Sequence, residues 1–248
     1  MPQLGKRKRM LRGDSECAYC GKVPATTVDH VVPKCLFESP LPTNMITVPA
    51  CLSCNEAKSK LDSFLRDFLV CEEGAPPHRV ADSLRTGPYQ RAVRRKQSAL
   101  WKEIDAGNFE KTSVHFNGID LGTVLQIPFG KGPLKNSITY IVRGLHYKLL
   151  NKRLPDDHLF LVGGIGNSDS CIRMLRQMQR MGSVGIAAIG KPNFDVFSSF
   201  CASWYTAEDR VYAASIWGLA FYDRIHIGCI TVAESKQGEI NPYYFERY

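Results

Sequence analysis

The 248 residues carry 32 Lys and Arg against 24 Asp and Glu, a formal net charge of +8, with 44% hydrophobic and 23% charged residues. That length suits one large domain or two small ones, and the composition is that of an ordinary globular chain, not a fibrous or low-complexity one. No apolar run approaches the ~20 residues that span a bilayer, so a membrane role is not expected, while the excess of positive charge favours an anionic partner, nucleic acid first.

Residues 1–13 are basic with no apolar segment behind them, which predicts a basic arm and not a signal peptide, in a cytoplasmic protein. Residues 14–72 form a cysteine-rich module. Inside it the β-branched run from Thr26 to Pro33 reads as a strand leading out of a hairpin. From Asn55 to Val70 the apolar residues Ala57, Leu61, Phe64, Leu65, Phe68 and Leu69 fall at helical spacing and predict an amphipathic helix. The stretch Glu72 to Pro77, with a glycine and two prolines, ends that helix.

Residues 73–109 read as a linker and a basic helix. The helix is expected over residues 90–105, with Ala92, Val93, Leu100, Trp101 and Ile104 as an incomplete apolar stripe. Residues 76–105 hold seven Lys and Arg against three Asp and Glu, a balance of +4. Arg91, Arg94, Arg95 and Lys96 are therefore candidates for contact with nucleic-acid phosphates, the competing reading being a solvated helix face.

Beyond residue 110 the texture changes to that of a mixed α+β domain. Residues 112–127 predict a hairpin turning at Asn117-Gly118. Residues 135–152 predict a helix with Ile138, Ile141, Val142, Leu145, Leu149 and Leu150 inward. A strand at 158–162, a helix around 168–181 and several aromatic-rich strands from 184 to 232 follow. That order gives an α+β fold and not a βαβ repeat. The domain is expected to recognise substrate, to form a homodimer or to receive a partner protein. Gly163 to Ser168 is a glycine-rich turn without phosphate-loop spacing. His115, His146, His158 and His226 show no metal spacing, and Tyr205, Trp217, Phe221 and Tyr222 read as sheet core.

The nine cysteines divide in two groups. Cys35, Cys71, Cys171, Cys201 and Cys229 stand singly in apolar surroundings and are expected to be small buried residues. The other four form Cys17-Ala-Tyr-Cys20 and, thirty residues later, Cys51-Leu-Ser-Cys54. Two such pairs can reach one tetrahedral zinc ion from two tight knuckles, and Gly21 supplies the backbone freedom that the first knuckle needs. Four thiolates leave no open coordination position, so this zinc is expected to be structural.

Chemistry is therefore sought between the pairs. A hard divalent cation prefers oxygen ligands, which Asp29 and the amide of Asn55 can offer. A neutral His30 beside it can take a proton from water near pH 7, and Asn44, fourteen residues on, is a candidate to orient the imidazole. Successive strand residues face opposite ways, so Asp29 and His30 can serve one site only where the strand twists or ends.

The arrangement of Cys17 and Cys20, Asp29-His30-Val31-Val32-Pro33, Asn44, and Cys51, Cys54, Asn55 and Lys58 resembles the HNH endonucleases, in particular their zinc-bearing branch. The resemblance covers roughly residues 14–70. It implies a ββα-metal fold with His30 as general base, Asp29 and Asn55 holding Mg2+ or Mn2+, Asn44 positioning the base and Lys58 facing phosphate. It further implies DNA as substrate, RNA being possible, and a place in defence, restriction or mobile-element biology. In this HNN variant the loop from Glu38 to Thr43 stands where many members carry a Gly-rich turn. The competing reading is a non-catalytic zinc-ribbon nucleic-acid-binding protein, in which Asp29, His30 and Asn55 are incidental.

Overall fold

The computed structural model describes residues 15–72, 77–107, 109–116, 119–126, 131–164, 184–189, 200–206, 214–222 and 225–234. It is a mixed α+β protein. Strands β1 (Thr27–His30) and β2 (Thr47–Ala50) pair antiparallel, with Thr27 opposite Ala50 and His30 opposite Thr47. Backbone bonds from Thr26 N to Ala50 O and from Val31 N to Ile46 O extend the ladder at both ends. Helix α1 (Leu52–Cys71) follows directly from β2, and Phe64, Leu65, Leu69 and Val70 form its buried side.

The basic segment is not one helix. After α2 (Arg79–Leu84) the chain widens into a π-type turn at Arg85–Tyr89, which holds Pro88 with no N–H to donate. It then continues as α3 (Gln90–Arg94), breaks, and resumes as α4 (Ala99–Asp105). The expectation of a continuous helix over 90–105 is thus corrected, for two physical reasons. Lys96 adopts φ +55, and its N–H reaches Val93 O while Gln97 N reaches Ala92 O, the paired bonds of a Schellman close. Beyond it, Ser98 caps α4 by accepting from Trp101 N at 3.4 Å. The cap is held from outside: fully buried Asp67 of α1 accepts from Ser98 Oγ at 2.8 Å and from Ala99 N at 3.1 Å, and takes Arg66 on its other oxygen. A helix start fixed by a buried carboxylate on another helix is a tertiary decision that the local pattern does not contain.

Strands β3 (Glu110–Phe116) and β4 (Ile119–Gln126) make the expected hairpin, with a register shift between Ser113 and His115. The Asn117-Gly118 turn lies outside the described residues. Helix α5 (Gly132–Leu150) starts with Pro133 in its first turn and stops at Asn151, which takes the left-handed conformation at φ 54. Strands β5 (His158–Gly164), β6 (Val184–Ile189), β7 (Phe200–Thr206), β8 (Ala214–Phe221) and β9 (Ile225–Ala233) form one antiparallel sheet ordered β5-β9-β8-β7-β6. The helix expected at 168–181, the turn residues 165–168, Cys171 and the arm at 1–13 also lie outside the described residues.

Helix α5 joins the two halves. Leu134, Ile138, Ile141, Val142 and Leu145 are buried, with Leu149 and Leu150 at the edge of the same core. A Cβ placed on Gly144 would come within 2.8 Å of both γ carbons of Val31, so the helix backbone lies directly on the first module. Tyr140 packs edge-on against Tyr19 at 5.1 Å, and Arg143 donates to Tyr19 O and Leu154 O while its guanidinium lies over Phe160. From the sheet side, His146 meets Trp217 and the Tyr222 hydroxyl donates to Leu36 O at 3.0 Å. One continuous core thus runs from Val31, Leu36 and Leu65 to Trp217, Phe221 and Cys229.

Candidate metal centre and active site

The first knuckle is a tight turn in which Gly21 N donates to Cys17 O at 2.9 Å. Gly21 holds φ +63, the left-handed conformation that favours glycine, with the Arg153 side chain lying over it. Ala18 N donates to Pro49 O, which pins the knuckle on β2. The second knuckle is the start of α1: Cys51 is its N-cap, its sulfur accepts from Cys54 N at 3.4 Å, and its carbonyl accepts from Asn55 N at 3.0 Å.

The sulfur atoms of Cys17, Cys20, Cys51 and Cys54 all lie within 4.8 Å of one another, with Cys20 and Cys51 at 3.9 Å. A zinc tetrahedron with Zn–S near 2.3 Å has edges of about 3.8 Å, whereas a disulfide needs about 2.05 Å. The group could therefore hold a metal ion such as structural zinc. The charges agree. Burial raises the thiols of Cys17 and Cys54, and for Cys54 the neighbouring sulfurs raise it further. Burial opposes ionisation of Cys51 as well, but the Ser53 hydroxyl and Cys54 N–H outweigh it and hold that thiol down to about 6. Four thiolates at this spacing need a cation among them.

Residues Thr27 and Asp29 lie two apart on β1 and so share a face, the one turned to α1. Asn55 Nδ2 meets Thr27 Oγ1 at 2.9 Å, and Lys58 Nζ lies 3.4 Å from Asp29 Oδ2. The amide orientation follows from proton counting. The Thr27 hydroxyl gives its single proton to Ala50 O at 2.9 Å, so towards Asn55 it can only accept. The amide nitrogen must face Thr27, and the amide oxygen is directed away from it.

Asp29 is 8% exposed and doubly held. Its Oδ2 accepts from the Tyr19 phenol at 2.5 Å and faces the Lys58 ammonium. Burial, and then the Asp29 carboxylate, push the Tyr19 phenol well above its ordinary range, so it donates as a neutral group. Lys58 is 1% exposed and donates to His30 O at 2.9 Å and to Asp62 Oδ1 at 3.1 Å. Burial raises the Asp62 carboxyl, against the pull of Lys58.

Comparison with protein-family models, curated proteins and solved structures finds no match.

The sequence-expected residues are thus partly brought together. Asp29 and Lys58 meet between β1 and α1, and Asn55 reaches Thr27 on the same face of β1. Lys58 does not face solvent phosphate; its ammonium is enclosed by Asp29, Asp62 and the His30 carbonyl. Pairing along β1 is one-to-one, so the pleat is regular and turns the His30 ring to the face opposite Asp29, at the last residue of the strand. Asn44 is exposed in the turn before β2, and Val31 pairs with Ile46 beside it, so Asn44 lies at the His30 end of the hairpin.

Arg91, Arg94, Arg95 and Lys96 are all exposed, on α3 and its closing turn. Trp217, Phe221 and Tyr222 are sheet core as expected, and Cys229 is fully buried. Cys35 is half-buried with its thiol pushed up to about 12 by burial and Asp62, and Cys71 is likewise half-buried. His146 and His158 are packed inside, and His226 is half-buried. The side chains of His115, Cys201 and Tyr205 lie outside the described residues.

Sequence reasoning missed Tyr19, Thr27 and Asp62. The available signal was periodicity: Thr27 stands two before Asp29 on a strand, and Asp62 stands four after Lys58 on a helix. For Tyr19 the only signal was its place between two cysteines of the four-cysteine group. Among the described residues no helix is long and apolar enough to cross a membrane.

Proposed function

We propose that this chain is a metal-dependent endonuclease of the HNH type that hydrolyses phosphodiester bonds of DNA. The observation that carries the reading is the Asn55 amide. Thr27 fixes its nitrogen, which leaves its oxygen directed away, on the face of β1 that also bears Asp29. Asp29 uses Oδ2 for Tyr19 and Lys58, so Oδ1 is the oxygen it can offer to a cation. One carboxylate oxygen and one amide oxygen make a donor set suited to Mg2+ or Mn2+, with waters and phosphate oxygens completing the shell. When bound, such a cation would supply charge stabilisation to the phosphoryl and leaving oxygens.

The protein's own groups would do the rest. His30, which the regular pleat turns to the face opposite Asp29, would take a proton from the attacking water as that oxygen bonds to phosphorus and the bond to the 3′ oxygen breaks. That role requires the substrate to reach around the end of β1. The zinc knuckles hold Asn55 through the Cys51 carbonyl and carry Tyr19, which orients Asp29. Lys58 locks the strand end at the His30 carbonyl. One centre per chain cuts one strand, so double-strand cleavage requires a second copy or a second binding event.

Two observations favour the second reading, a zinc-bearing nucleic-acid-binding protein without catalysis: Asp29 is buried and already paired with Lys58, and the regular pleat of β1 turns His30 to the opposite face. Plasmid DNA incubated with purified protein and Mg2+ or Mn2+ separates the two. The nuclease reading requires nicking that EDTA stops and that His30→Ala abolishes. Equal nicking by His30→Ala, or none by the wild type, returns the protein to the second reading.

A further inference from the structure

We infer that the elbow formed by α3, its closing turn and α4 is a nucleic-acid-binding exosite, and that it takes a strand with an unpaired base through basic side chains and the Trp101 ring. The inference deepens the nuclease reading and relies on it only for which nucleic acid is cut. The elbow's geometry stands apart from the candidate active centre.

Three observations support it. First, Arg91, Arg94, Arg95 and Lys96 are exposed, and among the described residues none of the four forms an ion pair. The other cations of this region are partly spent: Arg79 pairs with Glu38 and Arg85 with Asp82. Lys96 closes the helix in the left-handed conformation, where glycine would meet no steric penalty. A charge therefore stands at the corner at a conformational cost.

Second, Trp101 is 45% exposed, the largest ring among the exposed apolar residues. Its indole N–H donates to the Tyr89 hydroxyl at 3.0 Å, and Tyr89 immediately precedes the helix that carries the arginines. That bond satisfies the ring's single polar atom and ties the half-exposed ring to Tyr89, the residue before the helix that carries the arginines. Stacking of bases on aromatic faces, next to a charged track for phosphates, is how proteins bind single strands without reading sequence.

Third, the elbow is rigidly placed. Asp67 holds the start of α4 to α1, the helix that begins beside Asn55. Twelve helical steps run from Asn55 to Asp67, about 18 Å at 1.5 Å each, or roughly five nucleotides at about 3.4 Å. The elbow therefore grips the strand several nucleotides from the proposed point of cleavage.

The test measures binding of a fluorescein-labelled oligothymidylate of about twenty nucleotides, several times a typical single-strand site. The protein is the zinc-loaded full chain with no other divalent cation added, across a salt series. Each phosphate contact on a single strand contributes about −0.7 to the slope of log K against log salt. Replacing Arg91, Arg94 and Arg95 by Gln and Lys96 by Gly removes four such contacts and should flatten the slope by about 2.8. Trp101→Ala should weaken binding about 5- to 150-fold with the slope unchanged, and should leave affinity for a blunt duplex of equal length unaltered.

Lys96→Gly alone should lose about 0.7 of slope while melting no lower than the wild type, which separates charge from folding. An unchanged slope in the multiple variant, or wild-type affinity in Trp101→Ala, overturns the inference and leaves the elbow a solvated or protein-facing surface. Plasmid nicking on the same preparations distinguishes the two claims. Slope loss without nicking refutes the nuclease reading alone, and nicking without slope loss refutes the exosite alone.

Discussion

The phenol of Tyr19 donates to Oδ2 of Asp29 at 2.5 Å from between the two cysteines of the first knuckle. A turn whose cysteines could hold a metal ion and a candidate metal-binding carboxylate are thereby one hydrogen bond apart. The Tyr19→Phe variant removes a buried bond to a charged acceptor and should lower stability by about 1–3 kcal/mol, measured by denaturant unfolding. In nicking assays it should raise the Mg2+ concentration for half-maximal rate about 10- to 100-fold, as outer-shell partners of metal ligands do. An unchanged Mg2+ requirement would remove Tyr19 from the site.

Lys58 is the cation of a buried cluster and not a phosphate contact. Lys58→Met leaves Asp29 and Asp62 facing each other without compensation, and the protein should lose about 3–5 kcal/mol, read from the shift in denaturant midpoint. A side chain facing substrate predicts the opposite: a stability change within about 0.5 kcal/mol and a raised KM for DNA.

Removing the metal from the four-cysteine group should affect the whole protein, because α5 packs on the first module and on the sheet at once. Elemental analysis should find zinc bound to the chain and lost from Cys54→Ser. A structural zinc contributes several kcal/mol to folding, and about 2–4 °C of melting temperature accompanies each kcal/mol at this chain length. A strong chelator should therefore lower the melting point by on the order of 10 °C in a single transition. Two separate transitions would mean that the module folds on its own.

At Gly144 the added methyl of alanine would favour the helix by about 1 kcal/mol but collide with Val31 at 2.8 Å. Overpacking of this kind costs about 1–3 kcal/mol. Gly144→Ala should thus be net destabilising, and Val31→Ala should partly rescue it, a non-additivity visible in a double-mutant cycle. Additive effects would show that α5 and the hairpin are not in contact in solution.

His158, at the start of β5, is held below its ordinary pKa, first by burial and then by Arg143, with Asp157 opposing. A lowered folded value means that the unfolded chain binds the extra proton. The stability His158 contributes is therefore complete above its unfolded pKa of about 6.5. It declines as the pH falls below that value, through the lowered folded pKa. His158→Gln should flatten the acid side of a plot of melting temperature against pH. An unchanged acid limb would assign the decline to other groups.

Much of the candidate site was legible in local spacing. Two Cys-x-x-Cys pairs foretold the metal group because ligand geometry constrains neighbours in sequence. The hydrophobic periods of residues 55–70 and 135–152 foretold α1 and α5 to within a few residues, because a buried helical face repeats every 3.6 residues whatever it packs against. The same period failed for 90–105, where an apolar stripe continued across a break made by Lys96 and held by Asp67.

By itself the sequence determined which four cysteines come close enough to hold a metal ion, which faces of the long helices are apolar, and that a hairpin precedes α1. Those features follow from covalent spacing and backbone period. Only the tertiary structure decided that Lys58 is enclosed, that Thr27 sets the Asn55 amide, that Tyr19 reaches Asp29, and that α5 merges both halves into one core. Each of these depends on which groups meet across space, and there burial turns an ordinary lysine into the partner of two carboxylates.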